Sequence, residues 1–170
     1  MNIDHYRRLR NVNRMGTEPI LRPYNLLEHS YMVTVLFMHF AEKESITYST
    51  DIIDLILHHD IIETQTGDLP WNIKNMNSST QVSWNILETQ VIAANEDFNK
   101  YSDEKIRNAL RPEQFNLFKV CDMLELWIFL KEEQVLGNNS KECKRIIDTA
   151  EKVIYGMWPS IDKYMRTIVF

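Results

Sequence analysis

Residues 51–63 read DIIDLILHHDIIE, an apolar segment that ends in two histidines and two carboxylates. Ile52 and Ile56 are four residues apart, and this spacing predicts a helix over about 51–63 with these side chains directed inward. Asp60 follows Ile56 by four residues and is therefore expected on the same inward face. His59 is its sequence neighbour, so one ion could contact both side chains.

Two distant polar residues also fall on predicted apolar faces. His29 lies four residues before Val33 in a helix predicted over about 26–43, with Asn25 as its N-cap. Asp122 interrupts an aromatic and aliphatic stripe that comprises Phe115, Phe118, Leu126 and Phe129. A buried carboxylate without a partner costs several kcal/mol, so a cation should meet it. An Arg or Lys salt bridge would satisfy Asp122 alone, whereas a shared metal would satisfy all three helices together.

The types of these candidate ligands restrict the metal. Imidazole and carboxylate groups without thiolates suit Mn, Fe, Co, Ni or Zn. Glu63, three residues after Asp60, is either a solvated residue near a helix end or a general acid or base beside a metal-bound water. On a continuous helix His58 would point about 100° away from His59, which predicts a supporting or surface position for it.

The composition favours a single all-α domain over residues 1–170. The chain has only four Gly and five Pro, and no segment alternates as a strand does. The predicted bundle has about six to seven helices around one site. Besides the two above, helices are predicted near residues 4–14, 78–95, 112–134 and 140–155, together with a short one that Ser102 would cap.

Charge and apolar patterning exclude several classes of protein. A net charge of −5 provides no general basic surface for nucleic acid, although arginines cluster near the N-terminus and would suit a small anionic substrate. Cys121 and Cys143 form no C-x-x-C pair and are expected to be reduced thiols. The N-terminus has no signal-peptide core, and the apolar stretch at 31–40 is too short to cross a membrane. We therefore expect a cytoplasmic protein with no membrane partner.

The order of these residues resembles that of the HD-domain phosphohydrolases, whose pattern H…HD…D is matched by His29, His59-Asp60 and Asp122. The sequence is most similar to the small bacterial 5′-deoxynucleotidases and their phage relatives, which include dATP triphosphohydrolases. Residues 59–70 fit the specific motif H-D-x-x-E-x-x-T-G-D-[LI]-P. Shorter matches occur at 28–31 and 119–122, and the resemblance covers roughly residues 6–136.

This resemblance implies one divalent ion held by His29, His59, Asp60 and Asp122, with Glu63 as the proton-transfer carboxylate. The ion would be Co, Mn, Zn, Ni or Fe, or else Mg. Asp60 thus serves both as a ligand and in catalysis. The implied activity is hydrolysis of a 5′-deoxynucleoside monophosphate to deoxynucleoside and phosphate.

The resemblance also implies substrate contacts. Arg14 matches an arginine near the phosphate and sugar, and Asp68 matches a residue near the sugar 3′ side, although it could simply form a turn. Lys74 lies where relatives carry a lysine, and a plain surface role is equally compatible. Bacterial relatives place a Trp after the Asn-Arg pair, where the base can stack, but Met15 stands here. Ile20 or Pro19 then becomes a candidate for the base pocket.

Three alternatives to the monophosphatase remain at this point. The same site could hydrolyse dNTPs, dATP in particular, to release triphosphate or successive phosphates. The chain could be a non-catalytic nucleotide-binding helical module, although a complete ligand set with Glu63 argues against it. A phosphodiesterase is less favoured, because further metal-binding motifs are missing. The resemblance implies a preference for deoxyribose, and we expect a homo-oligomer, a dimer or larger.

Overall fold

The computed structural model describes residues 3–69 and 77–170, and within them the regular structure is helical, with one isolated bridge between Asn13 and Asn25. This confirms the all-α prediction. The α-helices are α1 (Ile3–Arg8), α2 (Leu26–Lys43), α3 (Thr50–Leu57), α4 (Glu63–Thr66), α5 (Ser78–Ala94), α6 (Asp103–Ala109), α7 (Pro112–Val135), α8 (Lys141–Met157) and α9 (Asp162–Met165).

Several helices begin where a side chain can satisfy the first free amides. The side chain of Asn25 accepts a hydrogen bond from the Glu28 amide at the start of α2, as the sequence predicted. Ser102 and Ser140 do the same at the starts of α6 and α8. Pro112 occupies the first turn of α7, where its missing N–H costs nothing.

The core lies where α7 packs against both α2 and α8. Each of these helices contributes side chains that are 5% exposed or less. They include Leu26, Val33 and Phe37 from α2, Leu124 and Leu130 from α7, and Ile147 and Ile154 from α8. Burial of this apolar surface holds the three helices together and thereby fixes the distance between α2 and the middle of α7.

The helix predicted over 51–63 is shorter in the structure, and this part of the prediction was wrong. α3 ends at Leu57, and His58 occupies its C-cap position with φ −115° and ψ 18°. The backbone amide of His58 donates to Asp54 O, and its Nδ1 lies 2.8 Å from the same oxygen. Because tight turns follow, helical angles cannot be used to place the side chains of residues 58–62.

The first predicted helix, over 4–14, also ends early. α1 stops at Arg8, and a short 3-10 turn covers Leu9–Asn11. The reason is that the following backbone bonds to a distant segment. The Arg14 amide donates to Tyr24 O at 2.7 Å, and the Leu26 amide donates to Val12 O at 3.0 Å. These bonds close residues 12–26 into a loop beside the start of α2.

A buried carboxylate fixes the far side of this loop. Glu133 on α7 is fully buried and accepts hydrogen bonds from the backbone amides of Leu21 and Arg22, at 2.6 and 3.2 Å. Asn138 donates to Glu133 and to Pro19 O. The predicted loop at 16–24 is therefore tied to the end of α7.

No helix within 3–69 or 77–170 is both long and apolar enough to cross a membrane.

Candidate active site

Four of the predicted site residues meet at one point between α2, the turn after α3, and the middle of α7. One ligand atom from each of His29, His59 and Asp122 lies within 4.8 Å of the others. Asp60 Oδ2 lies 3.2 Å from His59 Nε2 and 3.7 Å from His29 Nε2. Asp122 Oδ1 lies 3.2 Å from His29 Nε2. The separate segments therefore converge as the sequence predicted.

The hydrogen bonds behind the two imidazoles determine which nitrogen faces this point. His59 Nδ1 lies 2.8 Å from Ile56 O, and a carbonyl can only accept, so Nδ1 must carry a proton. His29 Nδ1 lies 2.5 Å from Glu125 Oε2 and donates to that carboxylate. In each neutral imidazole the remaining Nε2 is a lone-pair acceptor.

Both Nε2 atoms are buried and have no hydrogen-bond partner within the described residues. They face the carboxylate oxygens of Asp60 and Asp122, which are also acceptors. Acceptors facing acceptors repel in a low-dielectric site unless a proton or a cation lies between them. The cluster therefore requires positive charge at its centre.

Glu125 is a functional residue that the sequence reasoning missed. It is 7% exposed, three residues after Asp122 on α7, and it accepts hydrogen bonds from the Tyr24 hydroxyl and from His29. Tyr24 is itself 1% exposed and stacks on Phe129 with ring centroids 4.0 Å apart. The sequence feature that could have identified Glu125 is that it is a second carboxylate on the buried face of α7, one turn after Asp122.

Two basic residues also reach the carboxylates. Arg14 donates to Asp60 Oδ2 at 2.6 Å, and Lys119 donates to Asp122 Oδ2 at 3.0 Å. The salt bridge considered for Asp122 is thus present. It uses Oδ2, whereas Oδ1 is the oxygen directed at His29. A salt bridge and a shared cation are therefore compatible at this residue.

These charges keep both carboxylates ionised. Burial alone would raise the pKa of the Asp60 carboxyl, but His59 in its protonated form and Arg14 hold that pKa well below its usual range. Burial opposes ionisation of Asp122 as well, and Lys119, together with His29 when its Nε2 carries a proton, holds the Asp122 pKa far below the ordinary value. Burial would lower the pKa of Arg14, yet the surrounding Tyr24 and carboxylates raise it, so its guanidinium is permanently charged.

A cavity of about 390 Å³ opens beside this cluster. Its polar end is lined by Arg14, Met15, Glu18, His59, Asp60, Glu63, Asp68, Asp103, Lys119 and Asp122. Glu63 is 7% exposed and begins α4, one turn after Asp60. We call His29, His59, Asp60 and Asp122 together the His–Asp cluster. A carboxylate at the position of Glu63 can exchange a proton with a molecule held at this cluster.

The remaining predicted substrate residues lie in different places. Met15 lines the cavity with φ 55°, a left-handed conformation that is uncommon for a residue with a side chain, and its amide donates to Asp68 Oδ2 at 3.2 Å. Asp68 therefore fixes the strained backbone beside Arg14. Ile20 packs against the hydrophobic core and is not part of the cavity lining, and Lys74 lies outside the described residues.

Comparison with known sequences identifies relatives over nearly the whole chain. The family described as YfbR-like 5′-deoxynucleotidase matches residues 3–169. The 5′-deoxynucleotidase YfbR of Escherichia coli strain ATCC 8739 is 27% identical over 149 residues, which span 79% of this chain and 73% of the relative.

Solved structures share the fold. An HD-domain phosphohydrolase from Listeria innocua superimposes with a TM-score of 0.75 at 18% identity, covering 98% of this chain and 85% of that chain. The cyanophage S-2L HD phosphohydrolase DatZ, bound to dA and one catalytic Zn²⁺ ion, superimposes with a TM-score of 0.69 at 21% identity, covering 100% and 88%. Because both identities are below 25%, these comparisons show a shared fold and no more.

Proposed function

This chain belongs to the YfbR-like 5′-deoxynucleotidase family, and from that premise we propose that it hydrolyses 5′-deoxynucleoside monophosphates to deoxynucleoside and phosphate with the help of one divalent metal ion. His29, His59, Asp60 and Asp122 would hold the ion. The observation that carries the proposal is the pair of buried, unpartnered Nε2 atoms directed at ionised carboxylates.

The donor set fits such an ion. Each imidazole presents Nε2 because its Nδ1 is already committed, to Glu125 or to Ile56 O, and such outer contacts are typical of metal-binding histidines. Two imidazoles with two carboxylates suit Zn, Mn, Fe, Co or Ni better than Mg, which prefers oxygen ligands alone. DatZ, whose fold is the same, carries a catalytic Zn²⁺.

When bound, a divalent cation would polarise a phosphoryl oxygen and lower the pKa of a water molecule. The protein's own residues then have separate tasks. Glu63 takes the proton from the attacking water as the new P–O bond forms. The P–O5′ bond breaks, and the protonated Glu63 returns its proton to the leaving 5′-oxygen. Arg14 neutralises phosphate charge through its guanidinium.

The charge of the cavity favours a monophosphate over a triphosphate. Among the described residues its lining contains three basic side chains, Arg14, Lys119 and Arg145, against six carboxylates. A divalent cation would leave this lining still slightly negative. A triphosphate with about four negative charges would be repelled more strongly than a monophosphate with about two. The dNTP triphosphohydrolase is therefore the second candidate.

The decisive experiment is a screen of the purified protein with dAMP, AMP, dADP and dATP in the presence of Zn, Mn, Co or Mg. We expect orthophosphate from dAMP, with a transition metal, and slower turnover of AMP. Triphosphate released from dATP together with an inert dAMP would favour the second candidate instead. Equal turnover of AMP and dAMP would contradict the deoxyribose preference.

A substitution at Glu63 separates binding from chemistry. Glu63→Gln keeps the size of the side chain but removes its ability to take a proton. We expect metal content and nucleotide affinity to be retained while turnover falls about 10²–10⁴-fold. Near-normal turnover in this variant would exclude Glu63 from proton transfer.

A further inference from the structure

The same cavity also has an apolar part. Six side chains from α7 and α8 line it, and we call them the apolar wall: Met123, Leu126, Ile146, Ala150, Val153 and Met157. They belong to the same continuous cavity as Arg14 and Asp60. A molecule bound at the polar end can therefore also contact this wall.

On α8 the wall lies beside the apolar strip that the core uses, and the buried Ala150 belongs to both. Ile147 and Ile154 are buried at 4% and 0% exposure and complete the core with α7. Ile146 and Val153 are only half-buried, and Met157 is 39% exposed. Ile146 also packs against the core, and all three side chains line the cavity with apolar surface that remains accessible.

Directed polar contacts are scarce along this strip. Thr149 also lines the cavity, but its hydroxyl donates to Arg145 O within α8 at 2.8 Å. Arg145 is exposed at the rim. The ligand portion that fits here is therefore largely apolar on its faces and attached to an anionic group that the polar end holds.

We propose that the apolar wall binds the nucleobase of the substrate while the phosphate lies at the His–Asp cluster. This inference rests on the proposed function and adds to it the part of the site that recognises the base. Within the described cavity lining, aromatic side chains that could stack on a base are absent, so aliphatic and thioether contacts from α7 and α8 take that part.

The test introduces a charge into the wall and compares a substrate with and without a base. In Val153→Asp, we expect kcat/KM for dAMP to fall about 10–100-fold through KM, since an apolar contact to the base is replaced by a group that must stay hydrated. Hydrolysis of 2-deoxyribose 5-phosphate, which has no base, should remain within about twofold of wild type. The matched control is Val135→Asp, at an exposed valine near the end of α7.

A binding readout is needed besides turnover. Deoxyadenosine should raise the melting temperature of the wild type and of Val135→Asp, and it should raise that of Val153→Asp much less. If Val153→Asp does not fold, Met157→Glu serves the same purpose at a more exposed position.

Several outcomes would overturn the inference. Equal losses with both substrates, or an unchanged KM for dAMP, would show that the wall does not contact the base. A change in molecular mass by light scattering in Val153→Asp alone would identify the wall as a contact between copies of the chain. Absence of wild-type turnover with either substrate would instead refute the proposed function, and the deoxyadenosine shift would then still decide whether the wall binds a base.

Discussion

The two ends of the cavity are built in opposite ways. At the polar end His29 donates a hydrogen bond to Glu125, His59 donates to Ile56 O, and Asp60 accepts one from Arg14. At the apolar wall the side chains other than Ala150 are half-buried or exposed, and two of them are methionines, which adapt readily in shape. Hydrogen bonds therefore fix the side chains of the polar end in position, whereas the side chains of the wall can adapt to bound groups of different shape.

This difference follows from what each end must do. A metal ion and a reacting phosphoryl group require ligand atoms at fixed distances, and outer hydrogen bonds provide that precision. Contact with the rest of a substrate depends mainly on the apolar area covered and tolerates small displacements. Substitutions at the polar end should therefore affect metal content and chemistry, and substitutions at the wall should affect KM.

The largest effect is expected from Asp122→Ala, which removes one carboxylate from the polar end. We expect metal content to fall to background and activity to be lost with it, since the ligand set is incomplete. Chelation should lower the melting temperature of the wild type, because a ligand that binds only the folded state is removed, and it should barely change that of the variant. Elemental analysis and thermal unfolding measure both quantities. Asp148→Ala, at an exposed carboxylate on α8, is the control, and full metal retention in Asp122→Ala would contradict the assignment.

Arg14→Ala should weaken nucleotide binding while leaving the nucleoside nearly unaffected. A charge-assisted contact to phosphate contributes roughly 1.5–3 kcal/mol, equivalent to about 10–150-fold in Kd. Competition assays with dAMP and with deoxyadenosine, run on the wild type and on Arg14→Ala, measure this change in Kd for each ligand. Arg10→Ala, at an exposed arginine nearby, should change neither value. A parallel loss for the nucleoside would place Arg14 in a structural role through Asp60.

Glu125→Ala tests whether the polar end depends on its outer hydrogen bonds. Without this carboxylate the His29 imidazole loses the partner that fixes its Nδ1–H, and we expect metal affinity to fall about 10–100-fold. Tyr24→Phe removes only the hydroxyl that donates to Glu125 and should have a smaller effect in the same direction. Titration of the metal-free protein provides the affinities. Unchanged affinity in Glu125→Ala would mean that packing alone orients His29.

The smallest effect concerns Asp54, which supports the turn that carries His59 and Asp60. Hydrogen bonds from Lys100 and Tyr101, together with the neighbouring His58, lower the pKa of the Asp54 carboxyl below its usual value of 3.8, although burial opposes this shift. A group whose pKa is lowered by folding stabilises the protein above its unfolded pKa and loses that contribution as the pH falls through the folded pKa.

We therefore expect Asp54→Asn to lower the free energy of unfolding by about 0.5–1 kcal/mol at pH 7, the range for partly exposed ion pairs. The difference from wild type should shrink as the pH falls below about 4. Urea unfolding at pH 7 and at pH 3 measures this, with Asp148→Asn as the control. A difference that persists unchanged at pH 3 would mean that the carboxylate's charge is not its source.

The sequence was a good guide to the long helices and to the residues of the polar end. Apolar spacing predicted α2 at its observed bounds, and the anomaly of polar residues on apolar faces brought His29 and Asp122 together with His59. The helix prediction was wrong at the end of α3, which stops at Leu57 rather than at residue 63. Periodicity continues through residues 58–63, but the His58 side chain bonds to the Asp54 carbonyl and the helix ends.

The sequence by itself thus determined which side chains could form the polar end, because ligand type and helical spacing are local properties. The tertiary structure alone decided that Glu125 and Tyr24 lie behind His29, that Asp68 bonds to the Met15 amide, and that a strip of α8 faces the cavity. These contacts join residues that are 53 to 101 positions apart, or depend on how α7 and α8 pack. Local periodicity contains no information about such partners, since they are fixed by the burial of the shared core.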